Sequence, residues 1–92
     1  MEQTTAKYIV FHGQVQGVGF RYTAHRIASR YALTGYVRNL SNGSVEMFAQ
    51  GTPQDIADCT DDIKAGFSQY IRSIEIEDRD CDPACTEFMI RI

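Results

Sequence analysis

Hydrophobic positions along the chain follow a two-residue period in some segments and a helical period in others, which predicts a mixed α and β protein. Residues 7–12 are β-branched and aromatic, as is typical of a strand. Apolar side chains recur at helical spacing from Phe20 to Tyr31 and again from Ile56 to Phe67. Strand patterns occupy residues 33–40, 45–50, 70–77 and 86–92. The predicted order is therefore β-α-β-β-α-β followed by a short terminal strand.

Local signals fix two of the predicted boundaries. The dipeptide Asn42-Gly43 predicts a tight hairpin with a type I′ turn, which requires positive φ at both residues. Thr52 and Pro53 predict a helix start, with a capping hydroxyl and a proline in the first turn. Gly66 suits the end of that helix.

This order predicts an α+β fold, a ferredoxin-like two-layer sandwich with two helices on one face of a mainly antiparallel sheet. In that topology the first two strands run parallel, with the third strand between them. The loop after the first strand and the hairpin after the second then emerge at the same edge. We expect one domain over residues 1–92, with residues 1–6 flexible, and the pattern leaves open which edge the last strand joins.

Composition limits the classes of function. The net charge of −3 argues against a general nucleic-acid binder. Residues 1–50 hold five Lys and Arg against two Glu (+3), whereas residues 51–92 hold four against ten Asp and Glu (−6), so we expect a local anion site in the first half. No apolar run approaches the roughly 18 residues of a membrane span, and no signal peptide is evident. We therefore expect a cytoplasmic protein without a membrane association.

Three cysteines cannot all pair within one chain. Cys81 and Cys85 are close enough in sequence for a local disulfide, and the sequence leaves that pairing open. Neither belongs to a cluster with metal-ligand spacing, so we predict no metal and no cofactor. Cys59 lies on the apolar face of the second helix and is expected in the core.

The segment from Gly13 to Arg21 carries the most chemistry. Its glycines allow positive φ, and it leads directly into a helix whose first N–H groups have no partner. Such a junction binds phosphate or carboxylate, and Arg21 adds a permanent cation with a planar fork of donors. It is neither a dinucleotide fingerprint nor a Walker loop, since Tyr22 occupies the third glycine position and no Gly-Lys-Ser/Thr follows. The alternative interpretation is a glycine-rich turn with a surface arginine.

Two motifs in this order resemble the signatures of the acylphosphatase family: Gly-Gln-Val-Gln-Gly-Val-Gly-Phe-Arg at 13–21, and Gly-Tyr-Val-Arg-Asn-Leu-Ser-Asn-Gly-Ser-Val at 35–45, closing at Gly51. The resemblance implies hydrolysis of small acyl phosphates to a carboxylate and inorganic phosphate, without a metal. It implies catalytic roles for Arg21 and Asn39. The expected phosphate-binding loop consists of Val15, Gln16, Gly17, Val18, Gly19 and Phe20.

Two other functions remain open from the sequence. A ferredoxin-like RNA-binding module needs exposed aromatic residues on the central strands and a basic sheet face, but the chain is acidic and lacks an RNP-like run. A noncatalytic accessory domain with the same anion-binding loop is the second alternative, because acylphosphatase-like domains occur within larger proteins that handle carbamoyl groups. The terminal strand favours a stand-alone enzyme, and we expect a monomer. His25 lies one turn after Arg21, and its role is left open.

Overall fold

The computed structural model describes residues 3–92 and confirms the predicted order of elements. The strands are β1 (Thr5–Gly13), β2 (Thr34–Asn39), β3 (Val45–Gly51), β4 (Ile71–Arg79) and β5 (Phe88–Arg91), and the helices are α1 (Phe20–Arg30) and α2 (Pro53–Gly66). Strand β1 begins two residues earlier than predicted. Thr5 and Ala6 therefore belong to the sheet rather than to a flexible N-terminus, while Met1 and Glu2 lie outside the described residues.

The five strands form one sheet in the order β4-β1-β3-β2-β5. Strand β3 is antiparallel to both β1 and β2, so β1 and β2 run in the same direction and end at the same edge. Strand β5 joins β2 in parallel, which settles the edge that the sequence left open. The ferredoxin-like sandwich is confirmed.

Both helices pack their predicted apolar faces into one core. Helix α1 buries Phe20, Ala24, Ile27 and Ala28, and α2 buries Ile56, Cys59, Thr60 and Ile63. Thr52 caps α2 as predicted, because its hydroxyl accepts a hydrogen bond from the Asp55 amide at 3.1 Å. Across the described part of the chain, no helix has the length and apolar character that a membrane crossing requires.

The β2–β3 turn differs from the prediction. Gly43 has a φ of +92°, but Asn42 is not in the positive-φ region, so the turn is not type I′. The Gly43 amide instead donates to the Leu40 carbonyl at 3.2 Å, and the Asn42 side chain accepts from the Ser44 amide at 3.0 Å. A side chain that bonds to the backbone two residues on stabilises this wider turn without a left-handed asparagine.

The terminal strand is buried at its start and exposed towards its end. Phe88 is buried, but Ile90 on the same face is 40% exposed and Ile92 is exposed. As an edge strand, β5 has a sheet neighbour on one side only.

The cysteines are not bonded to one another. Cys59 is fully buried, and burial raises the pKa of its thiol to about 12. Cys81 and Cys85 are free thiols in the segment before β5.

Gly35 has no room for a side chain, which generates a test of the sheet. Its φ is +139°, and a Cβ there would lie 1.8 Å from the Phe48 carbonyl oxygen. We expect Gly35→Ala to lower the free energy of unfolding by about 2–4 kcal/mol, because a backbone strand must shift. Urea denaturation measures this. Gly66→Ala is the matched control, since a Cβ at Gly66 meets nothing within 4 Å, and its expected change is a gain of about 0.5 kcal/mol or none. Equal effects of the two substitutions would contradict this account.

Candidate active site

The loop between β1 and α1 takes its shape from two left-handed glycines. Gly17 has a φ of +78° and Gly19 has a φ of +76°, and a Cβ at either position would meet nothing within 4 Å. Val15 is fully buried and anchors the loop to the core, while the Gln14 amide donates to the Tyr70 carbonyl at 2.9 Å. The start of the loop is therefore held to the rest of the protein, while the space beside Gly17 and Gly19 is open.

The amides of this loop are free to bind a ligand. Gly19 occupies the cap position of α1, but it provides no side-chain cap, and the first turn contains no acidic residue. Within residues 3–92, no N–H group from residues 15–20 donates a hydrogen bond to another residue. These unpaired donors lie at the positive end of the helix dipole, an arrangement that favours anions.

Arg21 is held in place by the last strand. It lies in the first turn of α1, is partly buried, and donates from one terminal nitrogen to the Arg91 carbonyl of β5 at 3.1 Å. A cation at this end of a helix is repelled by the dipole, so this position is unfavourable for α1 alone. The hydrogen bond fixes the guanidinium while leaving its other N–H groups for an anion.

Asn39 approaches the loop from the neighbouring strand. It is the last residue of β2 and pairs with Val45 across the hairpin. Because β1 and β2 end at the same edge of the sheet, the residue that ends β2 lies beside the loop that follows β1. Asn39 and Arg21 line the same cavity.

Gln16 joins the two sides of the site. Its side-chain amide donates to the Leu40 carbonyl at 2.7 Å and to the Ser44 carbonyl at 2.9 Å. Both acceptors belong to the turn that follows Asn39. The glycine loop and the β2–β3 turn are therefore held to each other by one side chain.

The cavity between these elements has a volume of about 220 Å³. It is lined by Val15, Gly17, Gly19, Phe20, Arg21, Tyr22, Asn39 and Ile90. Of the remaining predicted loop residues, Gln16 reaches the β2–β3 turn, and the Val18 side chain packs against the core. His25 does not line the cavity, and its ring lies 6.0 Å from that of Phe88.

Sequence reasoning missed three components of the site. Tyr22 follows Arg21 directly, so its position beside the loop was a usable signal. Ile90 was assigned only to the predicted terminal strand, and the Arg91 carbonyl contributes through its backbone, which no side-chain pattern records.

Two of the larger cavities, each of about 440 Å³, contain neither the glycine loop nor Arg21 and Asn39 in their lining. One lies between α2 and the β1–β4 edge and has a mainly aliphatic lining that includes Ile9, Ile56 and Ile74. The other lies on the face of the sheet away from the helices, beside Tyr8 and Tyr36. Among the cavities found in the described residues, the one at the glycine loop is lined by both Arg21 and Asn39. Across the same residues, no group of three or more His, Cys, Asp or Glu is arranged to hold a metal ion.

Comparison with known proteins agrees with this geometry. The family model for acylphosphatase matches residues 7–90. A protein from Chlorobaculum tepidum named acylphosphatase is 39% identical over 84 residues, which cover 90% of this chain and 91% of that protein. The chain belongs to the acylphosphatase family. Acylphosphatases are enzymes, and their reaction class is the hydrolysis of acyl phosphates.

Solved structures extend the similarity to the fold. The crystal structure of acylphosphatase from Bacillus subtilis superposes with a TM-score of 0.88 at 28% identity, covering 96% of this chain and 99% of that one. The structure of T. kodakarensis HypF matches with a TM-score of 0.83 at 30% identity, but the match covers only 12% of the HypF chain. The acylphosphatase fold thus occurs both as a small protein and as a minor part of a large one.

The bridge made by Gln16 generates a prediction about turnover. We expect Gln16→Ala to lower kcat for benzoyl phosphate by about tenfold, because the loop and Asn39 lose their common tether, and small displacements of reacting groups are costly. Steady-state hydrolysis at saturating substrate measures the effect.

Gln54→Ala is the matched control for this variant, since the Gln54 side-chain amide bonds only to Asp58 on α2 at 2.8 Å, among the contacts of the described residues. If the two variants lose the same fraction of kcat while both remain folded, Gln16 does not position the site.

Proposed function

We propose that this acylphosphatase cleaves the carboxyl-phosphate bond of small acyl phosphates by in-line attack of water, without a metal ion. The observation that carries the proposal is that Arg21, Asn39 and residues of the glycine loop, whose amides are unpaired in the described part of the chain, line one cavity of about 220 Å³. The products are a carboxylate and inorganic phosphate.

The chemistry of the substrate explains why so few groups suffice. The leaving group of an acyl phosphate is a carboxylate, which is stable at neutral pH and needs no general acid. The remaining tasks are to bind the phosphoryl oxygens, to stabilise their charge in the transition state and to place the water in line. None of these tasks requires a side chain that accepts or donates a proton, and the Asn39 amide is not a base.

Arg21 and the loop amides are the proposed phosphoryl-binding groups. The guanidinium can hold two oxygens of one phosphoryl group, and four of the loop residues, Val15, Gly17, Gly19 and Phe20, line the same cavity. The Arg91 carbonyl fixes the arginine before the substrate arrives. Such preorganised donors stabilise developing charge without reorganising during the reaction.

Asn39 is proposed to orient the attacking water. An amide is not a base near pH 7, but its carbonyl oxygen accepts a hydrogen bond and its NH₂ group donates two. Water held by both can be directed at phosphorus from the side opposite the leaving carboxylate. The water oxygen forms the new P–O bond, the bond to the carboxylate oxygen breaks, and the proton of the water leaves with the phosphate product or to solvent.

Substitutions at the two residues are expected to separate binding from catalysis. Asn39→Ala should lower kcat by about 10²–10³-fold and leave inhibition by inorganic phosphate little changed, since one preorganised group is lost. Arg21→Ala should lower kcat further and also weaken phosphate inhibition, because it removes charge as well as geometry. Benzoyl phosphate hydrolysis with phosphate as competitor measures both effects. If either folded variant retained most of the turnover, the assigned role would be wrong.

Metal independence is tested by chelation. We expect hydrolysis of benzoyl phosphate to continue at an unchanged rate after dialysis against EDTA. The reason is that Arg21, and not a metal ion, is proposed to stabilise the charge on the phosphoryl oxygens. A loss of rate that a divalent cation restores would overturn this part of the mechanism. Phosphate monoesters should react far more slowly than acyl phosphates, since their alkoxide leaving group demands an acid that the site lacks.

A second candidate function rests on the open face of the sheet. Tyr8, Phe48 and Tyr36 form a row across β1, β3 and β2, with Arg79 and Arg91 stacked over the two tyrosines at 4.4 and 4.2 Å. Exposed aromatic rings with arginines bind single-stranded RNA in other ferredoxin-like domains, but Asp80 and Asp82 line the same cavity and oppose a phosphate backbone. Filter binding at physiological salt tests this candidate, and we expect no retention of RNA.

The remaining proposals concern the setting of the enzyme. We propose that it acts in the cytoplasm as a monomer. We also propose that it is an enzyme rather than a noncatalytic accessory domain, since both Arg21 and Asn39 are present. Phosphate binding without any turnover of acyl phosphates would favour the accessory role.

A further inference from the structure

Two large apolar side chains at the rim of the active-site cavity lack a structural explanation. Tyr22 is 66% exposed and Ile90 is 40% exposed, and both line the cavity that contains Arg21 and Asn39. Single exposed apolar residues are ordinary on a protein surface. Two of them on one small cavity, beside its polar donors, are typical of a site that binds the apolar part of a ligand.

Different elements supply the two side chains. Tyr22 lies in the first turn of α1, directly after Arg21, and Ile90 lies in the last strand, directly before Arg91. The hydrogen bond from Arg21 to the Arg91 carbonyl, at 3.1 Å, therefore joins the two segments that carry the apolar rim. Their position relative to the phosphoryl-binding arginine is fixed by the same contact that holds the arginine.

The volume of the cavity determines which part of the substrate meets this rim. About 220 Å³ is less than the roughly 300 Å³ at the lower end of ordinary ligand pockets. The charged phosphoryl group belongs with the polar donors at the base, between the loop amides and Arg21. The acyl group then extends outward, where the tyrosine ring and the isoleucine side chain are exposed, whereas Val15 and Phe20, which also line the cavity, are buried.

We propose that Tyr22 and Ile90 form the acyl-side contact of the active site, and that they select acyl phosphates with an aromatic or extended apolar acyl group over those with a small one. This inference rests on the proposed function. The contact lies away from the bond that breaks, so it is equally strong in the bound substrate and in the transition state. Such uniform binding lowers KM and leaves kcat nearly unchanged.

The experiment compares kcat/KM for benzoyl phosphate with kcat/KM for acetyl phosphate in each variant. The two substrates differ in intrinsic reactivity, but that difference cancels when the ratio in a variant is divided by the ratio in the native protein. We expect Tyr22→Ser and Ile90→Ser each to lower the ratio by about tenfold, which is within the range for the loss of a small apolar contact. The change should arise from KM for benzoyl phosphate.

Two further variants serve as controls. Tyr22→Phe keeps the ring and removes the hydroxyl, and it should retain the native ratio. Ile76→Ser removes another exposed apolar side chain, 55% exposed, that lines the separate cavity beside α2. It should also retain the native ratio.

Inhibition by inorganic phosphate separates the acyl contact from the phosphoryl site. Phosphate has no acyl group, so its inhibition constant should be the same in Tyr22→Ser, Ile90→Ser and the native protein. A higher inhibition constant for phosphate in both serine variants would show that the substitutions disturb the phosphoryl site. The proposed acyl-side contact would then be rejected.

The outcomes distinguish this inference from the function on which it rests. If the native protein hydrolyses neither substrate, the proposed function fails. If it hydrolyses both, and the ratio is the same in the native protein and in both serine variants, the acyl-side contact is wrong while the proposed function stands. A ratio that falls equally in Ile76→Ser would also overturn the inference, because the effect would then not be local to the rim.

Discussion

The junction between β1 and α1 is the constraint on which the active site depends. Backbone amides are strong donors that a folded chain normally pairs, and here those of residues 15–20 stay unpaired within the described structure. Left-handed backbone at Gly17 and Gly19 turns the chain into the helix without a capping side chain. The backbone therefore shapes the candidate site first, and Arg21 and Asn39 lie beside amides that the fold leaves unpaired.

The two helices differ in how their N-terminal ends are capped. Helix α2 begins with Thr52, whose hydroxyl satisfies the Asp55 amide, and Asp55 itself complements the helix dipole. Helix α1 begins with an uncapped glycine and carries Arg21 where a carboxylate would be favoured. At the start of α2, Thr52 and Asp55 both stabilise the helix. At the start of α1, the first N–H groups have no side-chain cap and Arg21 opposes the helix dipole. Local rules of this kind are broken mainly at functional sites.

The sequence predicted those parts of the fold that local periodicity determines. Apolar spacing located both helices, and the βαβ order placed the loop after β1 and the end of β2 at one edge, so the proximity of Arg21 and Asn39 was predictable. The exposure of Ile90 and the hydrogen bond to the Arg91 carbonyl were not predictable from the sequence. They depend on how β5 pairs with β2, where Gly35 lies opposite Phe88, 53 residues later along the chain (88 − 35), and a backbone acceptor leaves no trace in residue type.

The hydrogen bond between Arg21 and the Arg91 carbonyl also bears on the entropy of the proposed substrate binding. Long side chains lose about 2 kcal/mol of rotamer entropy when they are immobilised, and that loss would weaken substrate binding if it occurred on binding. In this fold the Arg21 guanidinium donates to the Arg91 carbonyl, and Gln16 ties the loop to the turn beside Asn39. In the proposed reaction both contacts reduce the ordering that is left for substrate binding. The proposed reaction therefore depends on the sheet, which holds the ends of β1, β2 and β5 at one edge.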